Sequence, residues 1–135
     1  MANVSACQPT AKLFRRGPNS NRWSVTRVRC VSAPHVAVAG TTGTGPAGDI
    51  AAQARDALRR IEVALGQAGA ALTDVVRTRI YVTDISRWRE VGAVHAHVFG
   101  EVRPAATMVE VSALITPEIL VEIEADAYLD PGAES

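Results

Sequence analysis

Two stretches of the chain repeat their apolar residues at the spacing of an amphipathic helix. The first lies between Asp49 and Gly69, which are a suitable N-cap and a suitable C-terminal stop. The second runs from about Ser86 to Phe99, and Gly100 ends it. The predicted apolar face is formed by Ile50, Ala54, Ala57, Leu58, Ile61, Ala64, Leu65 and Ala68 in the first helix, and by Trp88, Val91, His95, Val98 and Phe99 in the second.

Five other stretches have the alternating or uniformly apolar pattern of β-strands. They cover about residues 23–31, 36–39, 73–83, 105–112 and 119–128. The predicted element order is therefore ββαβαββ. Two helices that cover one face of a mixed sheet give an α+β domain.

The sheet face turned away from the helices is predicted to be half apolar and half charged. In the strand at 73–83, we expect Val76, Ile80 and Val82 to face the helices and the alternating residues to face away. A monomer could leave such a face in water, and the face also suits burial against further copies of the chain. The residues predicted on it are Arg77, Arg79, Tyr81, Met108, Glu110, Glu122 and Glu124.

The composition fits one globular domain with no bulk affinity for nucleic acid. Of 135 residues, 47% are apolar and 21% are charged, which is enough for a core without metal or disulfide bonds. We expect a single domain at 23–129, an irregular arm at 1–22 and a frayed tail at 130–135. The 14 basic and 14 acidic side chains cancel, which disfavours nucleic-acid binding.

We expect neither a membrane span nor an export signal in this sequence. No apolar run approaches the roughly 20 residues of a transmembrane helix, and the N-terminus lacks the apolar region of a secretory signal. Cys7 and Cys30 form no paired motif, so we expect a cytoplasmic protein with free thiols. The histidines show no metal-ligand spacing, and we expect no metal site.

A glycine motif between a strand and a helix, Gly43-x-Gly45-x-x-Gly48, matches the dinucleotide-binding pattern. A lone match is weak, and the chain is too short for the doubly wound fold that this motif serves. We therefore favour a flexible connection over residues 40–48 and expect no cofactor.

Three carboxylates, those of Glu122, Glu124 and Asp126, alternate along the last strand and share one face. Neighbouring carboxylates suit general acid–base chemistry, because like charges raise one pKa. Arg77 and Arg79 alternate in the same way, so cross-strand ion pairs are the favoured interpretation.

The histidines are isolated from one another in the pattern. His95 shares the apolar face of the second helix, which is more typical of a hydrogen-bonded core or interface residue than of a catalytic base. His97 is predicted on the solvated face of that helix, and His35 in a turn.

Four segments of the chain read VAVAGTTG, DIAAQARDALRRIEVALGQAGAALTDVVRTRIYVTDI, WREVGAVHAHVFGEVRPAATMVEVSAL and LVEIEADAYL. In this order and spacing they resemble the RidA/YjgF family, the reactive-intermediate deaminases, and the resemblance covers about residues 23–129. The resemblance implies a chorismate-mutase-like fold and a homotrimer whose sheets form a central barrel, with ligand clefts between subunits. It also implies hydrolysis of enamines and imines to keto acids and ammonia.

The resemblance assigns two functional positions near the end of the chain. Glu122 matches the family's glutamate, which is thought to position the attacking water. The family's carboxylate-clamping arginine lies in a Pro-Ala-Arg-Ser-type motif, and here Ala106 takes its place, followed by Thr107. A charged bidentate contact is worth on the order of 10²-fold in binding, so its loss favours ligands without a carboxylate.

Three further family positions also differ in this chain. The family's serine before the glycine of Ser-Gly-Gln is Ala39 here, followed by Gly40 and Thr41. An early tyrosine corresponds to about Val25, and the asparagine of the second helix corresponds to Gly92. The residues implied to line the cleft are Gly40, Thr41, His95, Ala106, Met108 and Glu122.

Three functions follow from this combination. The first is a homotrimer that binds a small metabolite in the cleft or transforms it by hydrolysis. It does not carry out the arginine-dependent deamination of 2-imino acids. The second is an imine or enamine deaminase, a hydrolase in which Arg27 supplies the missing cation. The third is a non-enzymatic scaffold or interaction protein.

Overall fold

The computed structural model describes residues 29–32 and 34–130, and its elements follow the predicted order ββαβαββ. Short 3₁₀ turns at Leu72–Asp74 and Ile85–Arg87 precede the third strand and the second helix. The predicted strand at 23–31 lies largely outside the described residues. The elements are β1 Arg29–Ser32, β2 His35–Thr42, α1 Ile50–Gln67, β3 Val75–Val82, α2 Trp88–Phe99, β4 Ala105–Glu110 and β5 Val121–Tyr128.

The described strands form one mixed sheet in the order β1-β2-β5-β3-β4. β3 and β4 are parallel, and the other neighbouring pairs are antiparallel. A parallel pair requires a crossover, which α2 provides. α1 packs on β2 and β5 and against α2, and a side chain of α2 bonds to β3. Both helices therefore cover one face, as predicted, and we call the opposite face the open face.

The core lies between the helices and the sheet. In β5, alternate residues from Val121 to Ala127 are buried, as the sequence pattern predicts. Asp49 caps α1, because its Oδ1 accepts a hydrogen bond from the N–H of Ala52 at 2.9 Å. Gly69 follows the helix at φ +81°, a conformation that glycine adopts without strain. The buried residues of α1 are Ile50, Gln53, Ala54, Ala57, Leu58, Ile61, Ala64 and Leu65.

One valine of β3 faces the opposite way from its prediction. The pairing of β3 with β5 shifts register between Val75 and Arg77. Val75 is consequently buried, and Val76 is 46% exposed. A bulge adds one residue to a strand, so strict alternation fails at that point.

Two residues of β4 were also assigned to the wrong face. In the parallel register Met108 lies opposite Ile80, and Glu110 lies opposite the buried Val82. Paired residues of adjacent strands point to the same side of the sheet. Met108 and Glu110 therefore face the helix side, and Met108 packs against the core.

The predictions for Trp88 and His35 were also wrong. Trp88 is the first residue of α2 and is 48% exposed, with the guanidinium of Arg89 lying 4.5 Å from the centre of its ring. His35 begins β2 rather than lying in a turn. His97 is exposed, as expected.

The glycine motif is explained by close packing against α1. β2 continues to Thr42, so the connection begins three residues later than predicted. A Cβ atom at Gly43 would collide with the carbonyl oxygen of Gln53. Thr44 donates its N–H and its hydroxyl to Asp56 Oδ2, at 2.8 and 3.1 Å, and the backbone bond is the main reason that the pKa of Asp56 falls to about 2.

Replacement of Gly43 by alanine is expected to cost about 2–3 kcal/mol of unfolding free energy, because a backbone atom lies where the methyl group would go. Gly66→Ala is the matched control: Gly66 lies in α1 with open space around its missing side chain, and the change should stabilise the protein by about 0.5–1 kcal/mol. Urea unfolding measures both changes. An equal response of the two variants would contradict close packing as the reason for Gly43.

Gln53 joins α1 to the segment that precedes β5. Its side chain is almost fully buried, at 5% exposure. Its amide nitrogen donates to the carbonyl oxygen of Glu118 at 2.8 Å, and its amide oxygen accepts from the N–H of Leu120 at 2.9 Å. A buried amide with both ends bonded fixes the backbone that leads into β5.

Candidate functional site

A chain of hydrogen bonds and ion pairs crosses the open face. Arg79 Nη1 lies 3.0 Å from Asp126 Oδ2 and 3.3 Å from Glu124 Oε1. The hydroxyl of Tyr81 donates to Glu124 Oε1 at 3.1 Å. His35 Nε2 lies 2.8 Å from Asp126 Oδ1, and its ring stacks on that of Tyr128. The favoured interpretation of this acidic strand, cross-strand ion pairing, thus holds for Arg79.

The paired carboxylates border a shallow depression of about 240 Å³ on the open face. Ala37 and Ala39 form its apolar side, and Arg79, Glu124 and Asp126 its polar side. Burial is the main reason that the pKa of Tyr81, beside it, is raised. The charged groups that border this depression are already bonded to one another. They are therefore better suited to holding β3 and β5 together than to acid–base chemistry.

Glu122 lies on the same face of β5 as Glu124 and Asp126 but, unlike them, takes no part in the chain of ion pairs. It is partly buried, and among residues 34–130 its carboxylate makes no hydrogen bond or ion pair. The main chain of Gly40 lies against it: a Cβ atom at Gly40 would be 2.9 Å from the carboxyl carbon of Glu122. A carboxylate without a partner retains its capacity to accept a proton or to bind water.

A bulge in β2 brings Gly40 to this position. The pairing with β5 shifts between Val38 and Thr41, so Ala39 and Gly40 together lie opposite Glu124. Thr41 is paired with the buried Ile123 and so faces the helix side, and its hydroxyl bonds to the carbonyl oxygen of Ala39 at 2.8 Å. The structure therefore brings Gly40 and Glu122 together and turns Thr41 away.

A second group of predicted site residues lies on the helix side, where β4 forms the edge of the described sheet. His95 Nε2 lies 2.8 Å from the hydroxyl of Thr78, which is fully buried. Ala106 lies opposite Thr78 in the parallel register, and Met108 lies two residues further along the same face. Gly92 is one helical turn before His95. We call Thr78, Gly92, His95, Ala106 and Met108 the His95 shelf.

The environment of His95 favours the neutral form of its imidazole. The ring is half-buried and tilts against that of Phe99, with 4.8 Å between their centres. Burial lowers the pKa of His95. The prediction of a hydrogen-bonded core or interface histidine agrees with this position, and Thr78 is a member of the group that the sequence analysis did not name.

The two groups of predicted residues lie on opposite faces of one sheet. Glu122 is on the open face of β5, and Ala106 is on the helix side of β4, with β3 between them, so about 10 Å separates the two strands. Thr107 is paired with Arg79 and faces the open side. One chain therefore does not bring Glu122 and the His95 shelf into one cleft. Val25 and Arg27 lie outside the described residues.

The described part of the chain holds neither a membrane-spanning helix nor a metal-binding cluster. Neither helix in it is long and apolar enough to cross a membrane. Within the same ranges, no group of three or more His, Cys, Asp or Glu side chains is placed to hold a metal ion.

Comparisons with known proteins agree on one family. Residues 18–129 match the family model described as Endoribonuclease L-PSP. A RutC family protein of Pyrococcus horikoshii is 41% identical over 87 residues, which are 64% of this chain and 68% of that protein. The 2-iminobutanoate/2-iminopropanoate deaminase of Escherichia coli is 34% identical over 100 residues, 72% of this chain and 77% of that protein.

A solved structure agrees with these sequence matches. A Mycobacterium tuberculosis member of the YjgF/YER057c/UK114 family superimposes with a TM-score of 0.75 at 70% identity, covering 77% of this chain and 86% of that one. The fold, the family model and the relatives together show that the chain belongs to the RidA/YjgF (Endoribonuclease L-PSP) family.

Proposed function

We propose that this protein hydrolyses a small imine or enamine without a carboxylate, in a cleft between copies of the chain, with Glu122 as the group that activates water. The unpaired carboxylate of Glu122 against Gly40 carries this proposal. The name of the E. coli relative, an iminobutanoate and iminopropanoate deaminase, supports the reaction class. The alanine at 106 argues against a carboxylate-bearing substrate.

The reaction needs one proton acceptor and no cofactor. Water adds to the carbon of the C=N bond while the carboxylate of Glu122 takes one of its protons and passes it to the imine nitrogen, which gives a neutral carbinolamine. The carboxylate then takes the hydroxyl proton of the carbinolamine and delivers it to the same nitrogen, so that the C–N bond breaks, ammonia leaves and a carbonyl compound remains. Imine and water are consumed, carbonyl and ammonia are released, and Glu122 returns to its charged form.

The placement of the two residue groups supports a cleft between copies. A cleft that holds both Glu122 and the His95 shelf requires that a second chain place its β4 edge near the open face of the first. The open face suits such burial because small apolar residues alternate there with ion pairs that are already made. We propose a homotrimer, as the family resemblance implies.

Light scattering tests this assembly directly. We expect a mass three times that of the 14.3 kDa chain, independent of concentration across the micromolar range. A stable monomer would remove the shared cleft, because one chain holds the two groups of residues apart.

A pair of glutamine variants tests the chemistry. Glu122→Gln should lower imine hydrolysis by about 10²-fold or more, since it removes the proton acceptor. Glu124→Gln is the matched control, on the same strand and face but bonded to Arg79 and Tyr81, and it should retain activity. The substrate is the imine that a flavin amine oxidase releases from a primary amine, and the readout is accelerated ammonia release. Unchanged activity in Glu122→Gln, or equal losses in both variants, would contradict the proposal.

A further inference from the structure

The His95 shelf holds a polar group that the reaction proposed above does not use. Nε2 of His95 is occupied by the hydroxyl of Thr78, at 2.8 Å, so Nδ1 is the ring nitrogen that remains for another partner. The fully buried Thr78 and the ring of Phe99 both contact the imidazole and restrict its position. A side chain fixed in this way is preorganised for a ligand.

The surroundings of His95 decide which ligand chemistry fits. Gly92 and Ala106 offer almost no side chain, and Met108 is apolar. None of the five shelf residues carries a positive charge while the imidazole is neutral. A carboxylate moved from water onto this surface would lose hydration without gaining a counter-charge, whereas an amide or a carbonyl would lose little and gain one hydrogen bond.

We propose that His95, positioned by Thr78, is the specificity-determining residue of the site and selects an uncharged polar group, a carboxamide or a ketone, over a carboxylate at the position beside Ala106. This inference rests on the proposed function, because it places the non-reacting end of the substrate on the His95 shelf of one chain and the reacting carbon near Glu122 of another.

Pyruvamide and pyruvate are suitable probes, since they share a carbon skeleton and differ in an amide against a carboxylate. Titration of isotope-labelled protein, followed by NMR at the His95 imidazole and at the Gly40 amide, reports on the two parts of the site separately. We expect pyruvamide to bind at least 5-fold more tightly than pyruvate and to shift both resonances.

Variants of His95 test the role of the side chain. His95→Ala should weaken pyruvamide by about 3–10-fold, the range of one neutral hydrogen bond, and leave pyruvate unchanged. His95→Asn places an amide near the position of Nδ1 and should restore part of the preference, and His95→Gln, whose longer amide reaches the position of Nε2 beside Thr78, guards against loss of the fold. His97→Ala, an exposed histidine on the same helix, should have no effect.

The outcomes separate this inference from the proposed function. A response at Gly40 without one at His95, or an unchanged probe preference in His95→Ala, would overturn the role of His95 and leave the cleft intact. No response at either position would overturn both. Equal binding of the two probes to the unaltered protein would overturn selection by charge.

Discussion

Replacement of Ala106 by arginine is expected to raise activity on 2-imino acids on the order of 10²-fold. Ala106 is exposed on the edge strand β4, so a long side chain there meets no core atoms in its own chain. A guanidinium binds a carboxylate through two parallel hydrogen bonds, the contact that the family resemblance assigns to this position. The arginine should also reverse the preference between probes, so that pyruvate binds more tightly than pyruvamide.

The measurement is ammonia release from imino acids that an amino-acid oxidase generates in place, with the E. coli deaminase run in parallel. Ala105→Arg is the matched control, since the neighbouring residue is paired with Arg77 and faces the open side. Equal gains in the two variants would show a general effect of positive charge rather than a clamp. No gain in Ala106→Arg, with a working control enzyme, would show that the missing arginine is not what separates this chain from its deaminating relatives.

The sequence was sufficient for most of the fold because periodicity reports burial. Strand β5 has the buried positions that its pattern predicts, and so does helix α1 except that it buries Gln53 and leaves Ala68 partly exposed, since each element turns one regular face to the core. The errors fall where regularity fails. The bulge at Val75 displaces Val76 to the surface, and no local signal marks it. Met108 and Glu110 were misassigned because the register of β4 on β3 depends on the length of the α2 crossover.

The site was less accessible from the sequence, since it depends on contacts between distant segments. The bulge that turns Gly40 toward Glu122 brings together residues 82 positions apart. The sequence around neither residue predicts it. Thr78 carried a usable signal: it alternates with Ile80 and Val82, so its hydroxyl had to be buried and needed a partner. His95, half-buried on the facing helix, is that partner.

Replacement of Gln53 by glutamate is expected to destabilise the protein by about 3–5 kcal/mol at neutral pH, because it buries a charge without a counter-charge. The amide nitrogen of Gln53 donates to the carbonyl oxygen of Glu118 at 2.8 Å. In the variant a second carboxylate oxygen faces that carbonyl, and the remaining partner, the N–H of Leu120, is neutral. Urea unfolding at pH 7.5 measures the loss.

The same variant should depend on pH in a defined direction. Desolvation raises the pKa of the buried carboxyl above its value of about 4.3 in the unfolded chain, so the folded state binds the proton more tightly. The penalty is therefore smallest below pH 4.3 and grows as the pH rises through the folded pKa. A protonated carboxyl also donates to Glu118, which restores the lost bond.

Gln53→Met distinguishes the destabilisation caused by the buried charge from that caused by the lost hydrogen bonds. It keeps the volume but leaves both backbone groups unpaired, and it should cost about 2–3 kcal/mol with no dependence on pH. Leu120 lies two residues before Glu122, so loss of its bond to Gln53 should also lower Glu122-dependent hydrolysis in variants that remain folded. Equal destabilisation by Glu and Met at pH 7.5 and at pH 4 would show that the donor end of the Gln53 amide does not hold this segment in place.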